Sequence, residues 1–554
     1  MGHGKVVNVS DALSVIKDGD VVAISGFNLS TAPEYLILEL FEQYKKTGHP
    51  NNLFIISDTL PAVPDRGLDK VFSELYQDKN QTFIRGVLMP FIGWSPALMK
   101  MTLENRIEVY SFAIGTTSYW FREVASNRPG LLTKVGLGTF LDPRIDGGAS
   151  NDIAKEKKTC KVDVLNINGE EWLLYQAPTP DVTLIRGTTA DEDGNISMEE
   201  EGIYGTVLNM AQAAKALPNQ GKVICQVKYV ARKDTIPTRE VIVPAPLVDY
   251  VVVAPDAEKY HKLSGSYVYD PRLAGHVKAK KTKELEELLP APDQIRDRIA
   301  AGRVLIEVMR TAAKLKKPLF GNLGIGIPVY VSWLAGELGL SNLLALTVEP
   351  GPIGGIALVG PDFGVAISPQ ALIPMPDMFT NYEGGIIDFA SLGFMEIDPK
   401  GNLNPSYSST RVSGPGGFPV ISAGSPRTFF AGGFTAGKFD IDASKGKLII
   451  KNDGNILKFN EKIVKIVFSG PQAVKAKKEI IYVTERAVFG LNENGLILKE
   501  IAPGIDLEKD ILAKMSFKPQ IAEKLETMPE CLFHQSLDPL KEYVDDILEE
   551  AGLL

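Results

Sequence analysis

The chain has 554 residues, 44% of them apolar or aromatic and 23% charged, which excludes a disordered chain, a collagen and a coiled coil. Its 59 basic and 68 acidic residues leave a net charge of −9 without long like-charge blocks, against the clustered basic face that nucleic acid requires. Three scattered cysteines and five histidines offer neither a disulfide framework nor metal-ligand spacing.

In chain order, the predicted elements begin with a buried strand at 21–25 that turns at Gly26. Pro33 opens a helix carrying Leu36, Leu38, Leu40 and Phe41, and a second strand at 53–56 ends at Ser57-Asp58. Further on, a strand at 181–186 enters the tight turn Asp193-Gly194-Asn195, and another apolar strand follows at 248–253. Apolar runs such as 250–254 fall well short of the roughly 18 residues of a membrane helix, and the N-terminus shows no signal-peptide stretch. A soluble, cytoplasmic protein in a reducing compartment is the expectation, with neither membrane nor nucleic acid as partner.

The same series then recurs. A strand at 318–320 reaches Gly321, Pro328 opens a helix with Val331, Leu334 and Leu338, and a strand at 343–348 ends at Glu349. The strand at 388–393 enters Lys400-Gly401-Asn402, and 478–483 matches 248–253. The chain therefore reads as two homologous halves, 1–289 and 293–554. Their linker falls near 290–292, where a charged helical stretch at 280–289 gives way to prolines and a helix starts near Asp293. The fold class is α/β: two homologous open α/β domains with mainly parallel, helix-covered sheets.

Ligands of open α/β sheets bind beyond the carboxyl ends of the strands, so the strand-end carboxylates Asp58 and Glu349 are the places to look. Glu349 is followed by Pro350-Gly351-Pro352-Ile353-Gly354-Gly355, a rigid turn that a substrate can approach closely; a turn-former or helix cap would leave the same trace. The segment from Gly321 to Pro328 lacks the ending of a phosphate-binding loop, and Pro328 stands where a dinucleotide fingerprint has Gly or Ala. It reads as a helix-start turn whose bare N–H groups can stabilise an oxyanion, or as glycines that allow close packing. A third open loop is Ser413-Gly414-Pro415-Gly416-Gly417-Phe418.

Several ordered segments are similar to the class I CoA-transferases: Asp18-Gly19-Asp20 with Gly26-Phe27, 135–144, Ile185-Arg186-Gly187-Thr188-Thr189-Ala190-Asp191, 322–328, 347–355, Gly401-Asn402-Leu403-Asn404, 414–418 and 483–489. The resemblance covers almost the whole chain. It is to the fused-subunit group of acetate/propionate CoA-transferases, related to succinyl-CoA:3-ketoacid CoA-transferase. The resemblance implies that Glu349 is a nucleophile. It attacks an acyl-CoA to give an acyl-glutamyl anhydride, then takes up CoA as a glutamyl-CoA thioester, and a second carboxylic acid reverses both steps in ping-pong fashion. CoA and acyl-CoA are substrates, and no cofactor or metal is implied. On matching positions Gly324, Ile325, Gly326, Ile327 and Pro328 form the loop over CoA and the oxyanion, while Gly414, Gly416 and Gly417 contact CoA. A homo-oligomer, often a tetramer, is implied too.

Where the family usually has Gly-His-Trp-Gly the chain reads Pro90-Phe91-Ile92-Gly93, and for Pro-Gln-Gly it reads Ala113-Ile114-Gly115; the later triple glycine becomes Glu383-Gly384-Gly385-Ile386. The acyl pocket is thus assigned to Phe91, Ile92, Ile114, Gly115, Gly384 and Gly385, drier than one built for acetate or acetoacetate. Two other functions fit the residues: acyl-CoA hydrolysis through the same glutamate, and a non-catalytic α/β binding module. Arg144, the Glu485-Arg486 pair, Cys225 and Trp94, Trp120 and Trp172 read as structural residues.

Overall fold

The computed structural model describes residues 4–279, 288–289 and 291–554; most of the charged stretch at 280–289 and Pro290 of the expected linker lie outside the described residues. Two compact units are present. One comprises Met1–Ala279, Val348–Thr380 and Thr410–Val420, and the other Lys280–Thr347, Asn381–Ser409 and Ile421–Leu554. The units therefore depart from chain halves of 1–289 and 293–554. Two segments of the second half, including the one that begins next to Glu349, pack with the first. Among the described residues no helix is long and apolar enough to cross a membrane.

The first unit is built on strands β1 (Val21–Ile24), β2 (Leu53–Ile56), β3 (Ile84–Leu88), β4 (Glu108–Tyr110), β5 (Val182–Arg186), β6 (Lys222–Val227) and β7 (Tyr250–Val253). They form one sheet in the order β7-β6-β5-β1-β2-β3-β4, parallel throughout. β1, β2 and β5 are buried at every position, as strands covered by helices on both faces must be. The helix Glu34–Thr47 shows how the sequence signals are met. Pro33 precedes it, Leu36, Ile37, Leu40 and Phe41 turn inward, Lys45 and Lys46 occupy the last turn, and left-handed Gly48 returns its N–H to the Tyr44 carbonyl.

The second unit holds β8 (Leu319–Leu323), β9 (Leu344–Thr347), β10 (Phe389–Gly393), β11 (Arg427–Ala431), β12 (Glu479–Val483), β13 (Ala487–Asn492), β14 (Gly495–Ile501) and β15 (Gln520–Thr527). Read from the other edge, its first five strands run β12-β11-β10-β8-β9, all parallel, which repeats β7-β6-β5-β1-β2 strand for strand. β13 and β14 then continue antiparallel. The 21-residue helix Ile295–Leu315 buries Ile299, Val304, Leu305, Val308 and Met309 in this unit's core. β8 runs past the expected turn at Gly321, because a side chain there would strike the Phe389 ring within 2.2 Å and the bare glycine lets that ring lie flat beneath the strand.

Polar details repeat as well. The Val21 N–H donates to Asp181 Oδ2 at 2.9 Å, and the Phe320 N–H donates to Asp388 Oδ2 at 2.9 Å, each aspartate standing just before its strand. In the first turn Asp191 accepts from the amides of Asp193 and Asn195 and from Asn195 Nδ2; in the second, Asp398 accepts from those of Lys400 and Asn402 and from Asn402 Nδ2. Such Asx turns fix the chain reversal through the side chain itself.

Candidate active site

Glu349 lies two residues beyond the end of β9. A tight turn carries it: the Val348 N–H donates to the Pro352 carbonyl at 2.9 Å and the Gly351 N–H to the Val348 carbonyl at 3.0 Å. Gly351 has φ +132°, and a side chain there would lie 1.9 Å from the Ile373 carbonyl oxygen, so only glycine permits this turn. The strand leading to the glutamate is tied down from below. Asn322 Nδ2 donates to the Thr347 carbonyl at 3.1 Å, Thr347 Oγ1 to the Gly321 carbonyl at 3.0 Å, and the Tyr382 hydroxyl to Thr347 Oγ1 at 3.0 Å. Thr347 and Tyr382 hold the end of this strand, and nothing in their own spacing marks them.

The Glu349 residue is partly exposed, yet its carboxyl is packed in protein, and that desolvation alone raises its pKa to about 7. Gly417 is set directly against it: a Cβ on Gly417 would lie 2.7 Å from Glu349 Cδ and 2.8 Å from each carboxylate oxygen. A carboxylate with weak solvation is a better nucleophile than one in water.

The loop bearing Gly417 is pinned to two of the segments where the sequence departs from the family it resembles. The Gly416 N–H donates to the Pro90 carbonyl (3.0 Å), Ile92 N–H to the Ser413 carbonyl (2.8 Å), and Ile114 N–H to the Gly416 carbonyl (2.9 Å). Candidate residues from 90–93, 113–115 and 414–417 therefore converge near Glu349 in one unit. Their side chains divide the work. Phe91 is partly buried and its ring covers the Gly93 α-carbon, whereas Ile92 has no exposure and belongs to the hydrophobic core. Ile114 starts the helix Ile114–Ala125, and Gly115 packs face-on to Phe379, whose ring a side chain would strike at 2.4 Å.

Gly324 to Pro328 and Gly384-Gly385 belong to the second unit. The Gly324 N–H is engaged by the Ser391 carbonyl at 2.8 Å; Gly326, with φ +92°, precedes a short 3-10 turn, Ile327–Val329, and the helix Tyr330–Glu337. Ile325 is 65% exposed, and none of the described residues stands within 4 Å of where a Gly326 side chain would begin, so this loop presents open backbone. Gly385 donates to the Tyr382 carbonyl at 3.1 Å and ends the helix Met375–Glu383.

The residues read as structural have structural partners. Arg144 forks onto Asp142 at 2.8 and 2.7 Å and onto Glu171 at 2.7 and 3.1 Å. Arg486 pairs with Glu485 at 2.7 Å and with Asp453 at 2.8 Å. Cys225 and Trp120 have no exposure.

The family described as coenzyme A transferase matches residues 6–254. Caffeate CoA-transferase of Acetobacterium woodii is 37% identical over 97% of this chain and 98% of its own length. Acetate CoA-transferase YdiF of Escherichia coli (strain K12) is 35% identical over 96% of each chain. The crystal structure of the acyl-CoA transferase YdiF from E. coli O157:H7, in a thioester complex with CoA, superposes with a TM-score of 0.82 at 32% identity, covering 96% of this chain and 97% of that one. With relatives this similar along essentially its whole length, the chain belongs to the coenzyme A transferase family, in the fused single-chain form.

Proposed function

We propose that this CoA-transferase carries CoA on Glu349 and serves a carboxylic acid with a larger, more apolar body than acetate. The observation that carries the reading is the Glu349 carboxyl itself, desolvated, without a charged partner among the described residues, and set against the bare α-carbon of Gly417. In the first half-reaction a Glu349 oxygen adds to the acyl thioester, the C–S bond breaks, and CoA leaves as thiolate with an acyl-glutamyl anhydride formed. The thiolate then adds to the glutamyl carbonyl and expels the first carboxylate, leaving glutamyl-CoA. A second carboxylate adds to that thioester and the sequence runs backwards, so the thioester energy is conserved and no cofactor is needed. Each addition generates an oxyanion, which a well-placed N–H donor stabilises by about 3 to 4 kcal/mol. By family resemblance the open backbone at Gly324 to Pro328 takes this role and that of covering CoA. Gly414 and Gly416 contact CoA in the same reading.

The apolar substrate is supported by Phe91 and by Ile114, which stand where the family usually has polar residues and whose backbones meet the Gly417 loop. A relative named for caffeate, an acid with an aromatic body, is at least as similar to the chain as one named for acetate. The reading further includes a cytoplasmic homo-oligomer, for which a solution mass four times that of the chain is the expected measurement.

One experiment tests the chemistry. Incubation with acyl-CoA adds the mass of CoA to the peptide containing Glu349, and Glu349→Ala removes both this adduct and transfer, by on the order of 10⁴-fold or more. An adduct elsewhere, or none, overturns the nucleophile; thiol release without an acceptor acid marks a hydrolase. For the substrate, rates with acids of rising chain length and with arylacrylic acids climb above acetate, and an optimum at acetate refutes the apolar pocket.

A further inference from the structure

The Ile185-Arg186-Gly187-Thr188 segment bears the family resemblance, yet the catalytic reading does not use it. Arg186 closes β5 and is 1% exposed. Its guanidinium spends its donors on two targets. Nε and Nη2 fork onto Glu201 at 2.9 and 2.5 Å, and Nη1 reaches the carbonyls of Leu29 and Ala32 at 3.0 and 3.1 Å. Glu201 is also buried and meets His261 Nε2 at 3.1 Å.

The direction of that last bond follows from Gln226. Its Oε1 accepts from the Tyr35 N–H at 2.9 Å, so its Nε2 is the donor, and it serves both the Tyr260 carbonyl at 2.9 Å and His261 Nδ1 at 3.2 Å. Nδ1 is therefore the bare nitrogen, and Nε2 holds the hydrogen that His261 donates to Glu201. Burial, assisted by the Arg186 charge, lowers His261 to about 4 and keeps the ring neutral. Every polar group in this buried set is satisfied, which is the condition for a rigid network.

What the network holds is the loop after β1. Phe27 and Ser30 exchange backbone bonds at 2.9 and 3.0 Å, and Asn28 and Thr31 sit at φ +55° and +57°, a conformation that costs energy in residues other than glycine. Ser25 Oγ donates to the Thr31 carbonyl at 2.7 Å and Ser30 Oγ to the Leu263 carbonyl at 2.8 Å. This loop faces the nucleophile's own segment within the same unit. Asn28 Nδ2 donates to the Phe363 carbonyl at 2.9 Å, and the Phe27 and Phe363 rings lie 5.7 Å apart. A side chain on Gly364 would meet the Phe27 ring at 2.7 Å and Pro350, the residue after Glu349, at 3.5 Å.

We propose that Arg186, locked by Glu201 and His261, is a positioning residue for CoA transfer: it fixes the 27–32 loop, which braces the turn carrying Glu349 through Phe27 and Asn28. The proposal rests on Glu349 as nucleophile, and its test separates the two. In a single turnover, adduct amplitude counts active sites and the rate constant reports alignment. Arg186→Lys, which keeps the charge but loses the fork, and Asn28→Gly, which keeps the left-handed backbone but removes the amide link, each form full adduct 10- to 100-fold more slowly. A reduced amplitude at the wild-type rate means a merely structural role and overturns the proposal. Hydrogen exchange supplies the readout that needs no chemistry: in Arg186→Lys, protection falls at least tenfold in peptides covering both 25–33 and 349–365. Lost protection confined to 25–33 overturns the bracing even if the nucleophile stands. If wild type forms no adduct, the nucleophile fails while the exchange result still decides whether the loop and the turn are coupled. Asn28→Gly at the wild-type rate also sinks it, should Arg186→Lys not fold.

Discussion

Glu349 and Asp58 occupy the same place in two copies of one topology. Each stands two residues beyond the second strand of its half, β9 or β2, and burial raises each to about 7. They differ in what faces them. The corresponding residue is the one before the helix that leads into β11 or β6, which is Gly417 before Phe418–Gly424 and Thr206 before Val207–Lys215. Asp58 is 1% exposed, with the Thr206 hydroxyl near enough to favour its ionised form although Asp58 Oδ1 and Thr206 Oγ1 both lack a well-formed hydrogen bond. Glu349 faces the bare Gly417 α-carbon and keeps partial exposure. A duplicated scaffold thus supplies two desolvated carboxyl groups, one faced by a hydroxyl side chain and one by a bare α-carbon, and the proposed function places the substrate at the second.

The strongest way to break this comparison is to restore that side chain. Gly417 does not have a left-handed φ, so alanine fits its backbone and the penalty is steric. A Cβ 2.7 to 2.8 Å from the Glu349 carboxyl forces that carboxyl to move. A misplacement approaching 1 Å costs on the order of 10²-fold, so Gly417→Ala slows adduct formation by about 10²- to 10³-fold with its melting temperature nearly unchanged. Thr206→Ala, the mirror substitution, leaves the rate within about twofold. Equal rates for Gly417→Ala and wild type remove the basis of the comparison.

Much of this pairing is legible in the sequence, and the reason is periodicity. Apolar runs ending in Asp58 and Glu349, a proline-started helix after each first strand, and the two glycine-asparagine turns survive in any order-preserving comparison, and the strand orders β7-β6-β5-β1-β2 and β12-β11-β10-β8-β9 follow them. The equivalence of Thr206 and Gly417 is not legible, because irregular hairpins of different length separate each from its preceding strand. Nor is the clustering of 348–380 and 410–420 with the first unit, since it depends on contacts such as Gly416 with Pro90 that no local pattern encodes. Ile92 was assignable to a pocket by its departure from the family, yet side-chain direction at one position after a strand is set by packing, and it faces the core. Thr347 and Tyr382 were missed because a hydrogen-bonded prop has no spacing signature.

Asp58 gives the second prediction. Its folded pKa of about 7 lies above its ordinary value of 3.8, so between these pH values the folded chain holds a proton that the unfolded chain has lost. The stability tied to this proton is complete below about pH 4 and declines as pH rises through 7. At 1.36 kcal/mol per unit the full shift amounts to about 4 kcal/mol. Asp58→Asn preserves shape and has no charge to bury, so it gains stability over wild type by about 4 kcal/mol on going from pH 4 to pH 8, read from paired denaturant curves. A difference that stays flat with pH shows that Asp58 is ionised in the folded state and that the two carboxyl sites are less alike than their positions suggest.

The smallest effect sharpens the contrast most directly, because both carboxyl groups titrate near the same pH and only one should matter to the rate. In the proposed reaction Glu349 attacks as the carboxylate, and a pKa of about 7 leaves it about 9% ionised at pH 6 and about 91% at pH 8. The single-turnover adduct rate therefore rises about tenfold between these limits with a midpoint near 7, measured with acyl-CoA saturating so that binding does not enter. Asp58→Asn leaves the midpoint where it is, since no proton held at the closed site reaches the reacting atoms. A midpoint near 4.5 would mean that Glu349 is solvated before the attack and that its reactivity comes from the CoA-bound state instead. A profile that shifts in Asp58→Asn would mean that the two sites are electrostatically joined, and the closed copy would then belong to the mechanism of the open one.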